Sequence, residues 1–301
     1  MVQVPPIVLL GGPTVSGKTG LALEVARLTG AEIVNVDAFQ IYQGLDIGTG
    51  KMPVPERKGV PHHLFDIVAP TSSFSVAEYL NVAKEVIISL QQHQKPSIWV
   101  GGTGLYYRAL RTGLSTGPAS DPKVIEELEQ ISTEALVKEI QELDPEWSAQ
   151  ADLQNRRRLT RALAVWRQTG IPLSVWHRTN SPPVLPQHTA FFLNPDRQLL
   201  HCAIEQRVKA MWLQGWVEEV EQLRKLPGWE SSQSASALGY RNIIQYLEGR
   251  LDKVTCIEQI ITETRQYAKR QETWFRAEKN AFALLDEHGE RIELLCQSLN
   301  S

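Results

Sequence analysis

The N-terminal third of the chain alternates short apolar runs with stretches in which leucines and alanines recur at helical spacing. Residues 7–10, 32–36 and 97–100 are predicted strands, because they are short, apolar and bounded by glycines or polar residues. Residues 18–28 and 75–92 are predicted helices. Strands separated by helices are typical of a parallel sheet with crossover helices, which binds ligands at the carboxyl ends of its strands.

The pattern changes after residue 120, because residues 121–178 show no strand-like alternation and carry apolar positions at helical spacing. Proline-rich residues 181–186 are predicted to lead back to the core, where residues 189–193 form another strand. The remainder is predicted to be helical over residues 199–226, 241–247 and 255–279. We therefore predict an α/β core interrupted by a mostly helical insertion. The predicted parts are residues 1–120 (core, first part), 121–187 (helical insertion) and 188–301 (core, second part, mainly helical).

The charge of the chain is nearly balanced overall but divided locally. The 301 residues include 34 acidic and 31 basic side chains, for a formal net charge of -3, which excludes a uniformly basic protein that coats nucleic acid. Residues 121–146 nevertheless hold nine acids and two lysines, whereas residues 156–178 hold six arginines and no acid. These arginines can form either a surface for RNA phosphates or salt bridges with the acidic helices before them.

The positions of cysteines, histidines and apolar runs argue against metal sites, disulfides and membrane segments. Cys202, Cys256 and Cys296 are far apart, so neither a zinc site nor a disulfide framework is predicted, and a reducing, cytoplasmic location is expected. No apolar run approaches the roughly 18 residues of a membrane helix, and the N-terminus does not resemble a signal peptide. His62 and His63 are predicted to lie in a turn and have no third residue at metal-binding spacing.

One glycine-rich segment carries a strong chemical signal. It matches the phosphate-loop pattern G-x-x-x-x-G-K-[ST] between a predicted strand and a predicted helix, with the residues Gly12, Pro13, Thr14, Val15, Ser16, Gly17, Lys18 and Thr19. Backbone N–H groups of such a loop surround phosphate oxygens, the lysine supplies positive charge and the threonine hydroxyl binds Mg²⁺. The pattern is usually associated with ATP, but it does not identify the phosphate ester. Asp37, after the second predicted strand, is either a metal ligand or a group that acts close to the phosphates.

Further segments, together with the phosphate loop, resemble the bacterial tRNA dimethylallyltransferases, also called tRNA isopentenyltransferases. These segments are VDAFQIY (36–42), GLDIGTGK (44–51), GVPHHLFDI (59–67), VGGTGLY (100–106), RLTRAL (158–163), LGYR (238–241) and YAKRQETW (267–274). They occur in order over nearly the whole chain. The resemblance implies a phosphate-loop fold of the nucleoside-triphosphate-hydrolase type with a parallel sheet and a helical insertion.

The resemblance also implies a reaction, in which a dimethylallyl group moves from dimethylallyl diphosphate to the N6 amine of the adenosine beside the anticodon, tRNA position 37. The phosphate loop is implied to hold the prenyl diphosphate, with Mg²⁺ on Thr19. Asp37 is the implied general base, because the N6 amine is a weak nucleophile. The groups implied to stabilise the leaving diphosphate are Thr14, Lys18 and Thr103. A monomer is expected.

Two groups of tRNA contacts are implied by the same resemblance. The target base, once it has left the anticodon-loop stack, is expected to meet Asp37, Ala38, Phe39, Gln40 and Thr103. The anticodon stem-loop is expected to contact Arg157, Arg158, Leu159, Thr160 and Arg161. A serine is common in the family at the position of Ala38, so contact by this residue is steric at most. Two alternatives remain open on sequence alone, a phosphate-loop small-molecule kinase and an RNA-dependent ATPase.

Overall fold

The structure, a computed structural model, describes residues 4–115, 117–179, 181–185, 187–284 and 288–300. It contains two compact units. The core unit comprises Met1–Arg111 and Val184–Ser301, and the helical unit comprises Thr112–Pro183. Residues 1–3 at the N-terminus and Pro186 of the proline-rich segment lie outside the described residues.

The core unit is built on a parallel sheet. Its strands are β1 (Ile7–Gly11), β2 (Glu32–Asn35), β3 (His62–His63), β4 (Ser97–Val100), β5 (Thr189–Leu193) and β6 (Phe282–Leu284). The strand order is β3-β2-β4-β1-β5-β6, and every pairing is parallel. The central strands are almost entirely buried and apolar, as expected for a sheet covered on both faces. The predicted α/β fold with a parallel sheet is confirmed, and the carboxyl ends of β1, β2 and β4 lie side by side.

Helices of the core unit surround this sheet. They are α1 (Lys18–Thr29), α2 (Val76–Gln92), α3 (Gly104–Thr112, whose last residue is assigned to the helical unit), α9 (Arg197–Leu213), α10 (Trp216–Arg224), α11 (Tyr240–Leu247), α12 (Lys253–Arg276) and α13 (His288–Asn300). The start of α2 is a capping box: Ser75 Oγ accepts from Glu78 N at 3.2 Å, and the Glu78 carboxylate accepts from Ser75 N at 2.7 Å. Within the part of the chain that the structure describes, each helix is too short or too polar to span a membrane.

The helical unit has its own apolar core. Its helices are α4 (Pro122–Glu129), α5 (Thr133–Leu143), α6 (Pro145–Ser148), α7 (Arg156–Thr169) and α8 (Leu173–His177). Leu128, Leu136 and Leu163 are fully buried in this core. The buried carboxylate of Asp144 accepts from Trp147 N at 3.1 Å and from Ser174 N at 2.8 Å, which joins the starts of α6 and α8.

The boundaries of the helical unit differ from the predicted residues 121 and 187. Its two ends are hydrogen-bonded to each other, because Ser181 N donates to Leu114 O at 2.8 Å and Leu114 N donates to Ser181 Oγ at 3.1 Å. The segment before residue 121 is therefore part of the helical unit although it has no helical periodicity. Val184 and Leu185 are buried in the core unit, where Leu185 N donates to Leu110 O at 2.9 Å.

Three local predictions are corrected by the structure. His62 and His63 form strand β3 rather than a turn, because they pair with Ile33 and Val34 of β2. The helix predicted over 199–226 is two helices, since Gly215 has a left-handed φ of 100° and caps α10. Strand β6 and helix α13 were not predicted, because β6 is only three residues long and α13 carries a weak apolar pattern.

Candidate functional site

A cavity of about 420 Å³ opens at the carboxyl ends of β1, β2 and β4. Its walls are the segments that follow these strands, together with residues 48–50 and parts of α9 and α12. The predicted site residues on its wall are Thr14, Val15, Ser16, Gly17, Lys18, Thr19, Asp37, Phe39 and Gln40. The other predicted site residues each lie within two positions of a wall residue in the chain: Gly12, Pro13, Ala38 and Thr103. The fold thus brings the phosphate loop and Asp37 to one cavity.

The phosphate loop has a positive φ at three non-adjacent positions. Gly17, with a φ of 85°, caps α1, Val15 has a φ of 62°, and Gly12 has a φ of 140°. Glycine adopts this conformation freely, whereas a β-branched valine is strained in it, and such strain is concentrated at binding sites. Since α1 begins at Lys18, its unpaired N–H groups and its partial positive charge lie at the loop. The backbone of the loop therefore presents donors and partial positive charge that suit an anion.

Two side chains of the loop need a ligand to satisfy them. Lys18 Nζ donates to Pro13 O at 2.6 Å. Burial lowers the pKa of Lys18 to about 8; the carboxylate of Asp37 opposes this shift, and the positive charge of Arg207 adds to it. Ser16 Oγ is buried and has no hydrogen-bond partner within the described ranges. An anion in the cavity would favour the charged lysine and accept from this hydroxyl.

Asp37 lies two residues after the end of β2, and the turn after it orients its carboxylate. Its Oδ1 accepts from Phe39 N at 2.9 Å and from Gln40 N at 3.3 Å. Its backbone carbonyl accepts from Asn35 Nδ2 at 3.3 Å. Among the residues that the structure describes, Oδ2 of Asp37 has no protein donor. One carboxylate oxygen is therefore held by the backbone, and the other is free to take a proton or to bind a ligand.

Neighbouring polar groups leave defined donors and acceptors at the cavity. Thr103 Oγ1 accepts from Ala38 N at 3.0 Å, so its hydroxyl proton remains available. Gln40 Nε2 donates to Thr49 O at 3.0 Å, so Gln40 keeps its carbonyl oxygen and one N–H. An amide that offers one acceptor and one donor matches an adenine edge. Ala38 has no polar side-chain atom, so its backbone N–H is the group that joins this hydrogen-bond network.

Gln271 of α12 was not predicted as a site residue. Its Oε1 accepts from Thr14 N at 2.8 Å, and its Nε2 donates to Gly102 O at 2.8 Å. The side chain is buried. Gln271 therefore ties the phosphate loop to the segment after β4. The residue lies in one of the motifs above, but its contacts are made with segments distant in sequence, and no local pattern indicates them.

Two arginines on the cavity wall were also missed. The guanidinium of Arg207 lies directly against Gly50, so a side chain at this position would have to displace it. Partial loss of solvent lowers the pKa of Arg207, and the charge of Glu56 opposes this. Within the described ranges this guanidinium makes no hydrogen bond or ion pair, so it can bind an anion. Arg270 lies over the ring of Tyr267, with 5.8 Å between the guanidinium carbon and the ring centroid.

The arginine-rich helix α7 belongs to the helical unit. Arg157 and Arg158, in its first turn, are exposed and make no side-chain hydrogen bond or ion pair with any residue the structure describes. Arg156 instead donates to backbone carbonyls, including Glu129 O at 2.8 Å and Ile131 O. The surface available for a polyanion on this helix is therefore formed by Arg157 and Arg158.

Other arginines of the same stretch form the salt bridges that the alternative interpretation predicted. Arg167 Nη2 lies 3.2 Å from Glu139 Oε1, and Arg178 pairs with Glu146. The salt-bridge interpretation is thus confirmed for Arg167 and Arg178, whereas the RNA interpretation stays a prediction for Arg157 and Arg158.

Leu159 and Thr160, which were also predicted to contact tRNA, are buried, so their side chains are not exposed as those of Arg157 and Arg158 are. Leu159 is fully buried in the apolar core of the helical unit. Thr160 Oγ1 donates to Arg156 O at 3.1 Å. Both residues therefore belong to the buried side of α7. Arg161 is half-buried, its Nη1 donates to Ser120 Oγ at 2.7 Å, and burial lowers its pKa.

Comparison with known sequences gives consistent matches over most of the chain. A family profile described as IPP transferase matches residues 40–278, and one described as Isopentenyl transferase matches residues 5–65. A tRNA dimethylallyltransferase of Syntrophobacter fumaroxidans is 41% identical, over 94% of this chain and 85% of that protein. A tRNA dimethylallyltransferase of Halorhodospira halophila is 42% identical, over 91% of this chain and 90% of that protein.

Solved structures with the same fold carry related descriptions. The full-length tRNA isopentenylpyrophosphate transferase of Bacillus halodurans matches with a TM-score of 0.72 and 31% identity, over 98% of this chain and 97% of that one. A eukaryotic dimethylallyltransferase, described as acting on tRNA, matches with a TM-score of 0.75 and 25% identity, over 90% of this chain and 70% of that one.

Proposed function

Because this chain belongs to the IPP transferase family, we propose that it transfers a dimethylallyl group from dimethylallyl diphosphate to the N6 amine of adenosine 37 in tRNA. The relatives named tRNA dimethylallyltransferase are prenyltransferases, and this chain is an enzyme of that class. The observation that carries the proposal is the single cavity of about 420 Å³ that joins a phosphate loop to the free carboxylate oxygen of Asp37. One wall suits a diphosphate, and the other suits a proton transfer.

The diphosphate end is formed by the phosphate loop and Arg207. Lys18 and Arg207 supply positive charge, and the N–H groups at the start of α1 supply directed donors. Both cations lack a paired carboxylate at hydrogen-bonding distance among the described residues. Charge that develops on the leaving diphosphate would be stabilised by these donors, which are in place before the reaction. Thr14 and Ser16 lie on the same wall.

The residues present fit Mg²⁺ held mainly by the diphosphate. Thr19 lines the cavity, and its hydroxyl has no protein partner within the described ranges. The same ranges contain no group of three or more His, Cys, Asp or Glu side chains that could hold a metal by themselves. Magnesium commonly keeps several waters and is bound through one or two protein groups plus substrate phosphates. When bound, the ion would neutralise charge on the diphosphate.

Asp37 would act as the general base. The N6 nitrogen forms a bond to C1 of the dimethylallyl group while the bond from C1 to the diphosphate oxygen breaks with its electron pair. The nitrogen then carries a surplus proton, which Oδ2 of Asp37 can accept because Oδ1 is occupied by the N–H groups of Phe39 and Gln40. A positioned general base of this kind accelerates proton transfer by about 10² to 10⁴-fold.

The adenosine must leave the anticodon-loop stack to reach this cavity, at a cost of a few kcal/mol. Hydrogen bonds between Gln40 and an adenine edge can offset part of this cost, and Phe39 offers an apolar surface on the same wall. Arg157 and Arg158 of the helical unit are the side chains we propose to bind phosphates of the anticodon stem-loop.

A single incubation tests the proposed function. The purified chain is mixed with an unmodified tRNA transcript that has adenosine at position 37, Mg²⁺, and either dimethylallyl diphosphate or ATP. Nucleosides are then analysed by mass spectrometry. Prenylated adenosine is expected only with dimethylallyl diphosphate. Consumption of ATP without prenylated adenosine would instead indicate a kinase or an RNA-dependent ATPase.

The role of Asp37 is tested by Asp37→Asn. The amide keeps an oxygen that can accept from the N–H groups of Phe39 and Gln40, but it cannot take a proton. Single-turnover prenylation is expected to slow by about 10² to 10⁴-fold, while tRNA affinity changes little. Turnover equal to that of the wild type would remove Asp37 as the base. Lost tRNA affinity with unchanged single-turnover rate would assign it a binding role.

A further inference from the structure

The carboxylate of Glu219 accepts four hydrogen bonds. Its Oε2 accepts from Asp46 N at 2.9 Å and from Ile47 N at 2.6 Å, and its Oε1 accepts from Gly48 N at 3.2 Å and from the hydroxyl of Tyr240 at 2.7 Å. Three successive backbone N–H groups that converge on one anion form a nest. Glu219 lies in the first turn of α10, far in sequence from the loop that it binds.

The loop so bound, residues 44–51, is also fixed from its other end. The buried ammonium of Lys51 donates to Asp46 Oδ1 at 2.6 Å, to Asp66 Oδ1 at 2.5 Å and to Tyr42 O at 2.8 Å. Asp46 therefore contacts Glu219 through its N–H and Lys51 through its carboxylate. The loop has two anchors, one anionic and one cationic.

The anchored loop forms part of the site. Gly48 and Thr49 line the cavity, and Thr49 O accepts from Gln40 Nε2 at 3.0 Å. Gly48 is pressed so closely against the indole of Trp216 that no side chain would fit there. The position of Thr49 O decides which way the Gln40 amide faces, because it takes one of the two amide N–H groups. A shift of loop 44–51 would therefore change the orientation of the Gln40 amide at the cavity.

We propose that Glu219 is a positioning residue for the prenyl transfer, which fixes loop 44–51 so that Thr49 O orients the Gln40 amide toward the adenine edge. The inference rests on the proposed function. Glu219 itself is not on the cavity wall, and it acts only through the loop. Burial raises the pKa of the Tyr240 hydroxyl well above its usual value, so the hydroxyl stays protonated and donates to Glu219. The carboxylate form of Glu219 matches its four donors.

Glu219→Gln is the direct perturbation, because it places an N–H₂ group against N–H donors while it keeps the size of the side chain. We expect kcat/KM for tRNA to fall by about 10 to 100-fold, as for a misplacement of a substrate-contacting group. Affinity for dimethylallyl diphosphate alone is expected to change less than kcat/KM for tRNA, because the phosphate loop and Lys18 lie outside loop 44–51 and, of the groups assigned to the diphosphate, only Arg207, which lies against Gly50, contacts that loop. Glu218→Gln is the matched control. It removes the same charge from the same turn of α10, at an exposed position that makes no hydrogen bond with any described residue of the loop, and it should match the wild type.

The decisive experiment is a double-mutant cycle on the full chain, with Gln40→Ala as the second change. If Glu219 acts through Gln40, Glu219→Gln costs less than about 3-fold in the Gln40→Ala background. An equal loss in both backgrounds would overturn the proposal, because it would indicate a general structural role. A kcat/KM in Glu219→Gln equal to that of the wild type would also overturn the proposal. Absence of prenylated adenosine with the wild-type enzyme would instead overturn the proposed function.

Thermal melting of each variant checks that it folds. If Glu219→Gln does not fold, Tyr240→Phe replaces it, because this change removes one donor and leaves the three backbone hydrogen bonds in place. A smaller loss of about 3 to 10-fold in kcat/KM is then expected, again absent in the Gln40→Ala background. A loss that persists in that background would refute the coupling.

Discussion

The ionisation of Lys18 determines how tightly the cavity binds an anion at each pH. Burial lowers the pKa of this lysine to about 8, so its charge is lost above that pH, where an ordinary lysine would still be protonated. If only the charged form binds, the apparent Kd rises by a factor of 1 + 10^(pH − pKa). This factor grows from about 1.1 at pH 7 to about 11 at pH 9, a tenfold loss of affinity or about 1.4 kcal/mol.

Calorimetric titration with dimethylallyl diphosphate and Mg²⁺ from pH 7 to 9.5 measures this loss. The ligand keeps its charge over the range, because a phosphate group loses its last proton near pH 6. Lys18→Met is expected to bind weakly and without this pH dependence, at an affinity that the wild type approaches at high pH. Lys18→Arg stays charged and should show a flat profile if the loop accommodates it. Constant wild-type affinity over the range would refute the reasoning, and an equal slope in Lys18→Met would assign the titration to another group.

Two further changes test the helical unit and the core unit separately. Arg158→Ala should weaken binding of the anticodon stem-loop and lower the slope of log K against log salt by about 1, whereas Arg167→Ala, whose side chain pairs with Glu139, should leave the slope nearly unchanged. Equal slopes for the wild type and Arg158→Ala would show that this arginine does not contact phosphate. Ser75→Ala removes the capping box of α2 and should cost about 1 kcal/mol of the free energy of unfolding in urea, while Ser89→Ala, at an exposed position inside the same helix, should cost nothing. Equal midpoints for these two variants would contradict the capping contribution.

Features of the molecule that depend on neighbours in sequence were predicted correctly. The phosphate loop between β1 and α1 follows from its glycines and Lys18, and the start of α2 follows from Ser75 and Glu78. In each case the residues that determine the structure lie within eight positions of one another in the sequence. The family resemblance added the reaction and the assignment of Asp37, which spacing alone left open.

Features that depend on contacts between distant segments were missed. Gln271 bonds the loop residue Thr14 across 257 positions, and Glu219 bonds Gly48 across 171. Strand β3 exists only because two histidines meet β2. Leu159 and Thr160 were assigned to the RNA surface as part of the motif RLTRAL, whereas both side chains are buried in the structure. A motif therefore identifies a segment, but the fold decides which of its side chains reach the site.

The hydrogen bonds between Leu114 and Ser181 have a consequence for assembly of the core unit. The helical unit closes its own ends, so the two parts of the core unit are joined by a folded body rather than by a long flexible loop. Each doubling of a flexible loop costs only about 0.6 kcal/mol of closure entropy. Because Leu114 and Ser181 hold the ends of the helical unit together, α3 and β5 are joined over a short distance in space although about 75 residues separate them in sequence. The insertion therefore adds little to the entropic cost of pairing β5 with β1.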